Sequence, residues 1–417
     1  MKLIYASKVA KLDSNVYTGG GTDDTDALQA VLDSADESGL HLIIDGAALV
    51  RGLKVKSNTT VECPNNCCGL YLANDCNCAV LSNMNMTFDG KIQDKNIKII
   101  GGTYNHNCLN QVHTTNPDEM GNIAPGWKMT IALEFYGVEY MTIKDIVIRD
   151  QRTYAMLTAN FKYVTMENII LDLPNKMYSQ NQDGLHFFGP GKYLNMRNIG
   201  GVTGDDIIAL APDERDCMSS ITDVVIDGVY VDGADQAIRL LSRDKGRLDR
   251  VFIRNVYGTY TSYGFYIQPW YKEAGGNFGA ISIENVNLVQ TSAVYDYQVP
   301  FLFRVGGKID NLVLSNIYHN YPTEKNRFIE IGYYSTTLYE GTEYEKSDCY
   351  DGFSYVKNFS LNNTYIIKNE NSTKVDEYIT VNCPIENFVV NNFNTVSSDE
   401  RVLGIRSSGK IEKLKIN

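Results

Sequence analysis

The sequence predicts an all-β fold, a single-stranded parallel β-helix with one capping helix near the N-terminus. Short segments in which Val, Ile and aromatic residues alternate with polar residues recur along the chain, for example YMTIKDIVIRD, YVTMENIILD and LDRVFIRNVYG. Alternation is the period of a β-strand, and the Asn, Asp or Gly that closes most segments suits a turn. Most neighbouring segments lie roughly 23 to 31 residues apart, a period typical of solenoids. A β-propeller is not favoured, because it needs four strands in each unit.

The Asn residues of these segments have a structural interpretation of their own. Nearly all the segments carry an Asn or Asp just before or inside their second strand piece. Side-chain amides that stack at one repeated corner would satisfy backbone groups from coil to coil. We therefore expect rows of hydrogen-bonded Asn residues along the solenoid.

One segment outside the repeat, GTDDTDALQAVLDSADESG, has the apolar spacing of an amphipathic helix. Thr22 is the expected N-cap, and three acidic residues follow it near the positive end of the helix dipole. Gly39 is expected to lie beyond the helix end. Such a helix, within a cap segment at about residues 15–40, would cover the open end of a strand solenoid, where exposed strand edges invite aggregation.

The whole chain, residues 1–417, is expected to form this one domain, because a solenoid grows by adding repeats. A stretch at about residues 335–380, rich in Tyr, Glu and Asn, interrupts the regular spacing. It predicts either a loop insertion that shapes one end of a groove or an irregular pair of coils.

The charge balance limits the classes of partner. The chain has 38 Lys and Arg residues against 50 Asp and Glu residues, a net charge of −12. No basic run stands out, so nucleic acid and anionic membrane surfaces are poor candidates. No signal peptide or membrane span is evident, which favours a cytoplasmic protein, or a secreted one whose leader has been removed. The oligomeric state stays open.

Five of the nine cysteines fall in the segment CPNNCCGLYLANDCNC, residues 63–78. Their spacing lacks a pair of CxxC units, and no His lies nearby, so a zinc site is not favoured. Buried thiols in a reducing compartment are the preferred interpretation. We expect no metal and no cofactor.

Acidic residues recur at the same point of two successive strand-like segments. Asp183 and the pair Asp205 and Asp206 lie about one coil apart, so they could occupy neighbouring strands roughly 4.8 Å apart. Gly204 permits a turn or bulge that sends both members of the pair outward. Three carboxylates in one groove would repel one another and raise the pKa of at least one of them. The competing interpretation takes Asp183 and Asp205 as turn residues and Asp206 as a surface acid.

A shared proton among carboxylates suits the hydrolysis of a glycosidic bond with inversion. One carboxylic acid protonates the leaving oxygen while a carboxylate on the opposite side activates water.

The segment VYTGGGTDDTDALQAVLDSA resembles the N-terminal cap of pectin-active β-helix proteins, and NQDG followed by GDDIIAL resembles the NTD and GDD motifs of the polygalacturonase-like glycoside hydrolases of family 28. The resemblance covers roughly residues 15–300. It implies a right-handed parallel β-helix and an inverting hydrolase. It also implies that Asp205 is the general acid and that Asp183 and Asp206 position water.

Two departures from the family affect the expected substrate. The family's GHG motif is replaced by GADQAIRLLS, which has Gln236 where the His is expected, and its RIK motif by GFYIQPW, with Tyr266 and Gln268. Tyr and Gln offer hydrogen bonds but no charge for a galacturonate carboxylate. We therefore favour a neutral or differently decorated sugar. The alternative restores positive charge from the segment IRLLSRDKGR, through Arg239, Arg243, Lys245 and Arg247.

Further residues of the expected groove are less specific. His186 follows Asp183 by three residues and could replace the missing His as partner of an acid, or it could be a surface histidine. His106 is expected to be structural. Trp270 and Tyr271, with Tyr266, could form a stacking platform for a sugar ring.

Three functions remain open from the sequence. The first is an inverting glycoside hydrolase acting on a plant-type or other complex glycan such as pectin. The second is a polysaccharide lyase on the same scaffold, which would need a calcium site and an Arg or Lys base beside a uronate. The third is a non-catalytic, tailspike-like glycan-binding β-helix.

Overall fold

A computed structural model gives the fold of the chain. It describes residues 1–86, 90–113, 129–177, 181–214, 219–243, 245–269, 275–292, 299–323, 325–332, 354–396 and 403–417.

The regular secondary structure of the described residues is almost entirely β-strand, with one α-helix and two short 3₁₀ turns. The turns are Ala6–Lys8 and Cys108–Asn110, and the helix is α1 (Thr25–Asp33). The strands are β1 (Lys2–Tyr5), β2 (Leu40–Ile43), β3 (Ala47–Val50), β4 (Leu53–Val55), β5 (Thr59–Glu62), β6 (Gly69–Leu72), β7 (Leu81–Asn83), β8 (Asp94–Ile100), β9 (Thr103–Asn105), β10 (Leu133–Arg149), β11 (Met156–Asp172), β12 (Leu185–Gly201), β13 (Asp206–Ala211), β14 (Ile221–Leu241), β15 (Leu248–Gln268), β16 (Phe278–Gln290), β17 (Phe301–Val305), β18 (Lys308–Asn320), β19 (Arg327–Ile331), β20 (Tyr355–Ile367), β21 (Ile379–Val381), β22 (Ile385–Val396), β23 (Ile405–Ser407) and β24 (Ile411–Ile416).

Each strand pairs in parallel with a strand of the next coil, so the predicted parallel β-helix is confirmed. The early coils use three short strands: β2 pairs with β5, β3 with β6, and β4 with β7. The longer β10 pairs with β7, β8 and β9 in turn, so one strand follows three faces of the coil. It turns at Tyr140 and Asp145, which have positive φ. Long strands here are therefore strands with built-in corners.

The interior is filled by apolar side chains stacked in register from coil to coil. One such row contains the stacked rings of Phe265 and Phe303, whose centroids are 4.9 Å apart. Inward residues alternate with outward ones, as the sequence pattern predicted. The row consists of Ile208, Ile238, Phe265, Phe303 and Ile329, all buried.

The helix α1 begins at Thr25, three residues after the expected N-cap Thr22, so that expectation is wrong. The Thr22 hydroxyl donates to Asp13 instead (3.0 Å), while a carboxylate oxygen of Asp23 accepts the N–H of Thr25 (3.0 Å). Gln29 of the helix exchanges hydrogen bonds with the backbone of β4. The helix therefore docks against a strand of the early coils, within the predicted cap segment.

Rows of Asn side chains link successive coils, which confirms the expected amide stacking, although the bonds in these rows join side chains to one another and not to the backbone groups that were expected from the sequence. The Asn168 amide donates to Asp145, 23 residues earlier (2.7 Å), and Asn198 donates to Asn168 (3.0 Å). In each row the later coil donates to the earlier one. Further rows are Asp227, Asn255 and Asn285; Asn316, Asn363 and Asn392; and Asn362, Asn391 and Asn417.

The chain divides into two compact units of coils, and the division follows Asp205. The first unit spans Met1–Asp205, and the second spans Asp206–Glu214 and Met218–Asn417. Of the predicted insertion at 335–380, residues 335–353 lie outside the described residues. β20 is a regular strand paired with β18 and β22, so that part belongs to an ordinary coil.

The cysteine cluster contains both buried and accessible thiols. Cys63 and Cys68 are buried as expected, but Cys67 is exposed, and Cys76 and Cys78 are half-buried. Burial raises the pKa of the Cys63 thiol to about 12, so this group stays protonated at neutral pH. Within the described ranges, no helix is both long and apolar enough to span a membrane.

Candidate active site

The three predicted carboxylates lie together. One oxygen from each of Asp183, Asp205 and Asp206 lies within 4.8 Å of the others. Asp183 and Asp206 are buried, and Asp205 is half-exposed. The interpretation of Asp206 as a surface acid is therefore wrong, and the buried Asp206 does not point outward into solvent as was expected from the sequence for both members of the pair.

Strand pairing places Asp183. The residue lies two positions before β12, and its carbonyl accepts the N–H of Ala155 (2.9 Å) on the preceding coil. The next pair, Gly184 with Met156, continues into the β11 and β12 register. The alternating pattern of two strands thus fixes where the carboxylate lies along the coil.

His186 belongs to this cluster. Its Nδ1 lies 2.8 Å from a carboxylate oxygen of Asp183, and both side chains are 4% exposed. The imidazole stacks on Tyr154 with centroids 4.3 Å apart and is edge-on to Phe188. The surface interpretation of His186 is wrong, since the ring is held between an acid and an aromatic face.

His106 is a structural histidine, as expected, and it is fully buried. Its Nδ1 accepts the N–H of Arg152 (3.0 Å), so the neutral ring carries its proton on Nε2, which lies 3.1 Å from the Cys78 carbonyl. Burial lowers the pKa of His106 to about 4.

Within the second unit, the row that contains Asp206 continues with Gln236, Tyr263 and Phe301 in strand register. Gln236, at the position expected for the family's His, is one coil from Asp206 and is 6% exposed. A strand spacing of about 4.8 Å per coil places Tyr263 roughly 10 Å from Asp206 along the row. A row of buried side chains, an amide and then a phenol, therefore extends from this acid.

A parallel row carries Arg239 and Tyr266 on neighbouring coils. The Arg239 guanidinium carbon lies 5.1 Å from the centroid of the Tyr266 ring, and that ring stacks on Tyr263 at 4.5 Å. Tyr266 itself is 1% exposed. The arrangement brings a cation next to the groups that replace the RIK motif.

The other three candidate cations are placed differently. Arg247 forms an ion pair with Asp310 (2.5 Å) and a hydrogen bond with Asn277 (2.8 Å). The backbone N–H groups of Arg243 and Lys245 donate to Asp213, which ties the loop after β14. The side chain of Arg247 is thus directed to neighbouring coils.

Gln268 is 1% exposed, and both polar atoms of its amide lack a hydrogen-bond partner among the described residues. Trp270 and Tyr271 lie outside the described residues, so the stacking platform remains an expectation.

Sequence reasoning missed Tyr263 and Arg304. Arg304 Nη1 donates to the Tyr263 hydroxyl (2.5 Å), and its guanidinium carbon lies 5.2 Å from the Tyr263 ring and 5.6 Å from the Phe301 ring. Its Nε lies 3.6 Å from Glu330. A charged residue in the apolar strand FLFRV was the available signal, but its partners lie on other coils.

The carboxylate cluster also determines what the site could bind. Carboxylate oxygens this close are ligands of the kind that calcium or magnesium takes. Among the described residues, Asp183, Asp205 and Asp206 form a group whose carboxylate oxygens lie close enough together to bind one cation.

No protein-family model matches the sequence, and no curated protein sequence matches it. Solved structures do. The family 28 exopolygalacturonase of Yersinia enterocolitica has a TM-score of 0.59 and 12% identity, covering 100% of this chain and 78% of that one. The exopolygalacturonase of Thermotoga maritima has a TM-score of 0.52 and 11% sequence identity, and the match covers 100% of this chain and 92% of that one. The A-module of the mannuronan C-5 epimerase AlgE6 of Azotobacter vinelandii has a TM-score of 0.50 and 12% sequence identity, and the match covers 99% of this chain and 98% of that one.

At such low identity these similarities concern the fold. The same architecture serves a hydrolase in two of the three proteins and an epimerase in the third. The chain thus shares the right-handed parallel β-helix of the family 28 polygalacturonases, as its cap segment and acidic motifs predicted.

Proposed function

We propose that the protein is an inverting glycoside hydrolase that cleaves a glycosidic bond in a complex oligosaccharide or polysaccharide. The observation that carries the proposal is the cluster of Asp183, Asp205 and Asp206 within 4.8 Å. Full ionisation would place three like charges together, so the cluster favours a retained proton on one member. Asp205, the most exposed of the three, acts as the general acid, while the other two position and activate water.

The stereochemical outcome needs its own argument. The oxygen separation is shorter than the about 6.5–9.5 Å typical between the carboxyl groups of inverting enzymes, and closer to the about 5–5.5 Å of retaining ones. Inversion is proposed because a third carboxylate is available to hold water, and because the NQDG and GDD motifs resemble those of an inverting family. The anomeric form of the first product decides between the two.

The sugar at the cleaved bond is proposed to be neutral or differently decorated from galacturonate. Gln236, Tyr266 and Gln268 are uncharged and buried at the positions that carry a His and two cations in family 28. Arg239 lies over the Tyr266 face and is the cation that an acidic substrate would use. A preference for acidic over neutral oligosaccharides, lost in Arg239→Met, would contradict the neutral assignment.

The test compares the wild type with Asp205→Asn on oligogalacturonides and on galacto-, arabino- and xylo-oligosaccharides. Loss of a general acid is expected to lower kcat about 10²–10⁴-fold. Asp232→Asn, which changes an exposed carboxylate of β14, is the control and should leave kcat unchanged. NMR of the first-formed product should show the inverted anomer, and full activity in Asp205→Asn would overturn the proposed mechanism.

A second candidate is a lyase that uses the carboxylates to hold calcium. The oxygen cluster favours it, and one protein of the same fold acts on a uronate polymer according to its name. Activity lost with a chelator, restored by calcium and accompanied by absorbance of a new double bond would support the lyase. Binding without cleavage of the same oligosaccharides would support the glycan-binding module.

A further inference from the structure

Gln182, the residue before Asp183, lies at the centre of a buried hydrogen-bond network in the first unit. Its side chain is 0% exposed. Nε2 donates to the carbonyl of Gln151 (2.8 Å) and, at 3.4 Å, to that of Asn175, while Oε1 accepts the N–H of Met177 (2.5 Å). The side chain therefore ties its own segment to the preceding coil and to the loop that leads into it.

The backbone of the same residue holds the other acid. The Gln182 carbonyl accepts the N–H of Gly204 (2.9 Å) and, at 3.4 Å, that of Asp205. The Asp205 carbonyl in turn accepts the Thr203 hydroxyl (2.8 Å). Gln151 completes the connection, since its Nε2 donates to the Asp183 carbonyl (3.3 Å).

Gly204 shows how closely these segments approach. A Cβ at this position would lie 3.0 Å from the Gln182 Cβ and 3.2 Å from its Oε1. A side chain at position 204 would therefore be in tight contact with Gln182, and the neighbouring atoms would have to shift by a few tenths of an ångström to admit it.

We propose that Gln182 is a positioning residue that sets the relative placement of the Asp183 and Asp205 carboxylates. Asp183 follows it in the chain and Asp205 is hydrogen-bonded to its carbonyl, so one rigid side chain fixes both backbones. The NTD motif that this segment resembles has Thr at this place. A Thr side chain is too short to span from the Gln151 carbonyl to the Met177 N–H, so this pair of hydrogen bonds depends on the Gln that this chain has in place of Thr. The catalytic consequence rests on the proposed hydrolase function.

The test uses Gln182→Met, which keeps the length of the side chain and removes its hydrogen bonds. Gln111→Met is the matched control, because Gln111 is also buried and bridges two backbone groups, Ala73 and Asn77, on an earlier coil. Both variants lose buried hydrogen bonds, so both are expected to melt at a lower temperature than the wild type.

Two readouts separate positioning from stability. The first is the carboxyl titration of Asp183 and Asp205, followed by ¹³C NMR and assigned with Asp→Asn variants. The second is the split between kcat and KM on the oligosaccharide panel. Gln182→Met should change the coupled titration and lower kcat about 10²-fold with KM nearly constant, the effect of a small misplacement. Gln111→Met should change neither.

Each outcome decides the proposal. Equal effects of the two variants on titration and kcat, or a wild-type titration in Gln182→Met, would overturn it. If the wild type cleaves no oligosaccharide of the panel, the hydrolase function fails while the titration still decides positioning. If Gln182→Met does not fold, Gly204→Ala displaces the same contact from the other side. An altered titration in Gly204→Ala then supports positioning, and an unaltered one contradicts it.

Discussion

Arg304 is a fully buried charge, and its surroundings explain how the fold accommodates it. The guanidinium donates to Tyr263, contacts two aromatic rings and lies near Glu330, whose side chain is 12% exposed. Glu330 also accepts a hydrogen bond from Asn382 (3.1 Å). Removing one member of a buried ion pair leaves the other charge uncompensated, which costs far more than the pair itself contributes.

Arg304→Ala is therefore expected to lower the free energy of unfolding by about 3–5 kcal/mol. The double variant Arg304→Met/Glu330→Gln, which keeps the volume and removes both charges, should lose much less. Urea unfolding of Arg304→Met, Glu330→Gln and the double variant measures the coupling energy between the two charges. Additive losses would show that the two charges do not stabilise each other.

The rows of Asn residues stabilise corners at the scale of the element. Several residues of these rows, although none of the row Asn362, Asn391 and Asn417, adopt a left-handed backbone conformation that Asn tolerates better than most residues, for example Asn363 with φ of 51°. The Asn363 amide donates to Asn316 and its oxygen accepts from Asn392, each at 3.0 Å. One side chain thus supplies both a backbone conformation and two links between coils.

Asn363→Ala is expected to destabilise the protein by about 2–3 kcal/mol, because it removes two hydrogen bonds and strains the left-handed residue. Asn363→Gly loses the same bonds without the strain and should be less affected. Denaturant midpoints compare the two. Identical midpoints would mean that conformation contributes nothing at this corner.

The pH response of the molecule depends in part on two buried histidines, His106 in the first unit and His319 in the second, besides the buried His186 that contacts Asp183. Burial lowers the pKa of His106 to about 4 and that of His319 to about 3, against about 6.5 in an unfolded chain. Above pH 6.5 both imidazoles are neutral in the folded and in the unfolded chain, so the histidines cause no loss of stability there. As the pH falls from there, the unfolded state binds protons that the folded state excludes, so stability is lost until about pH 4 and about pH 3 respectively.

Each histidine is expected to contribute a slope of about 1.4 kcal/mol per pH unit below pH 6. Urea midpoints of the wild type at pH 7 and pH 5 should therefore differ more than those of His106→Gln/His319→Gln. Carboxylates contribute equally to both proteins, so the comparison isolates the histidines. An equal acid loss in the two proteins would contradict the assigned protonation.

The sequence predicted the features that depend on local periodicity. Alternating residues gave the strands, the repeated Asn gave the rows, and the spacing of Asp183 and Asp205 gave the acidic cluster. Prediction from the sequence failed where a contact depends on a residue that is distant in the chain. Thr22 does not cap α1 because Asp13 takes its hydroxyl, and the contact between Arg304 and Tyr263 needs the register of coils that no local pattern contains.

The direction of the hydrogen bonds in the Asn rows has a consequence for the spontaneous deamidation of their side chains. Every link in the rows described above donates toward the earlier coil, and two rows begin with an aspartate, Asp145 and Asp227. In these two rows the aspartate accepts the hydrogen bond of the next residue, Asn168 or Asn255, so a carboxylate suits the position. Spontaneous deamidation of an interior rung such as Asn168 would remove its donor and bring two carboxylates together. Deamidation of Asn168 would therefore break this row at its middle residue, whereas Asp145, which is already a carboxylate, cannot undergo the reaction.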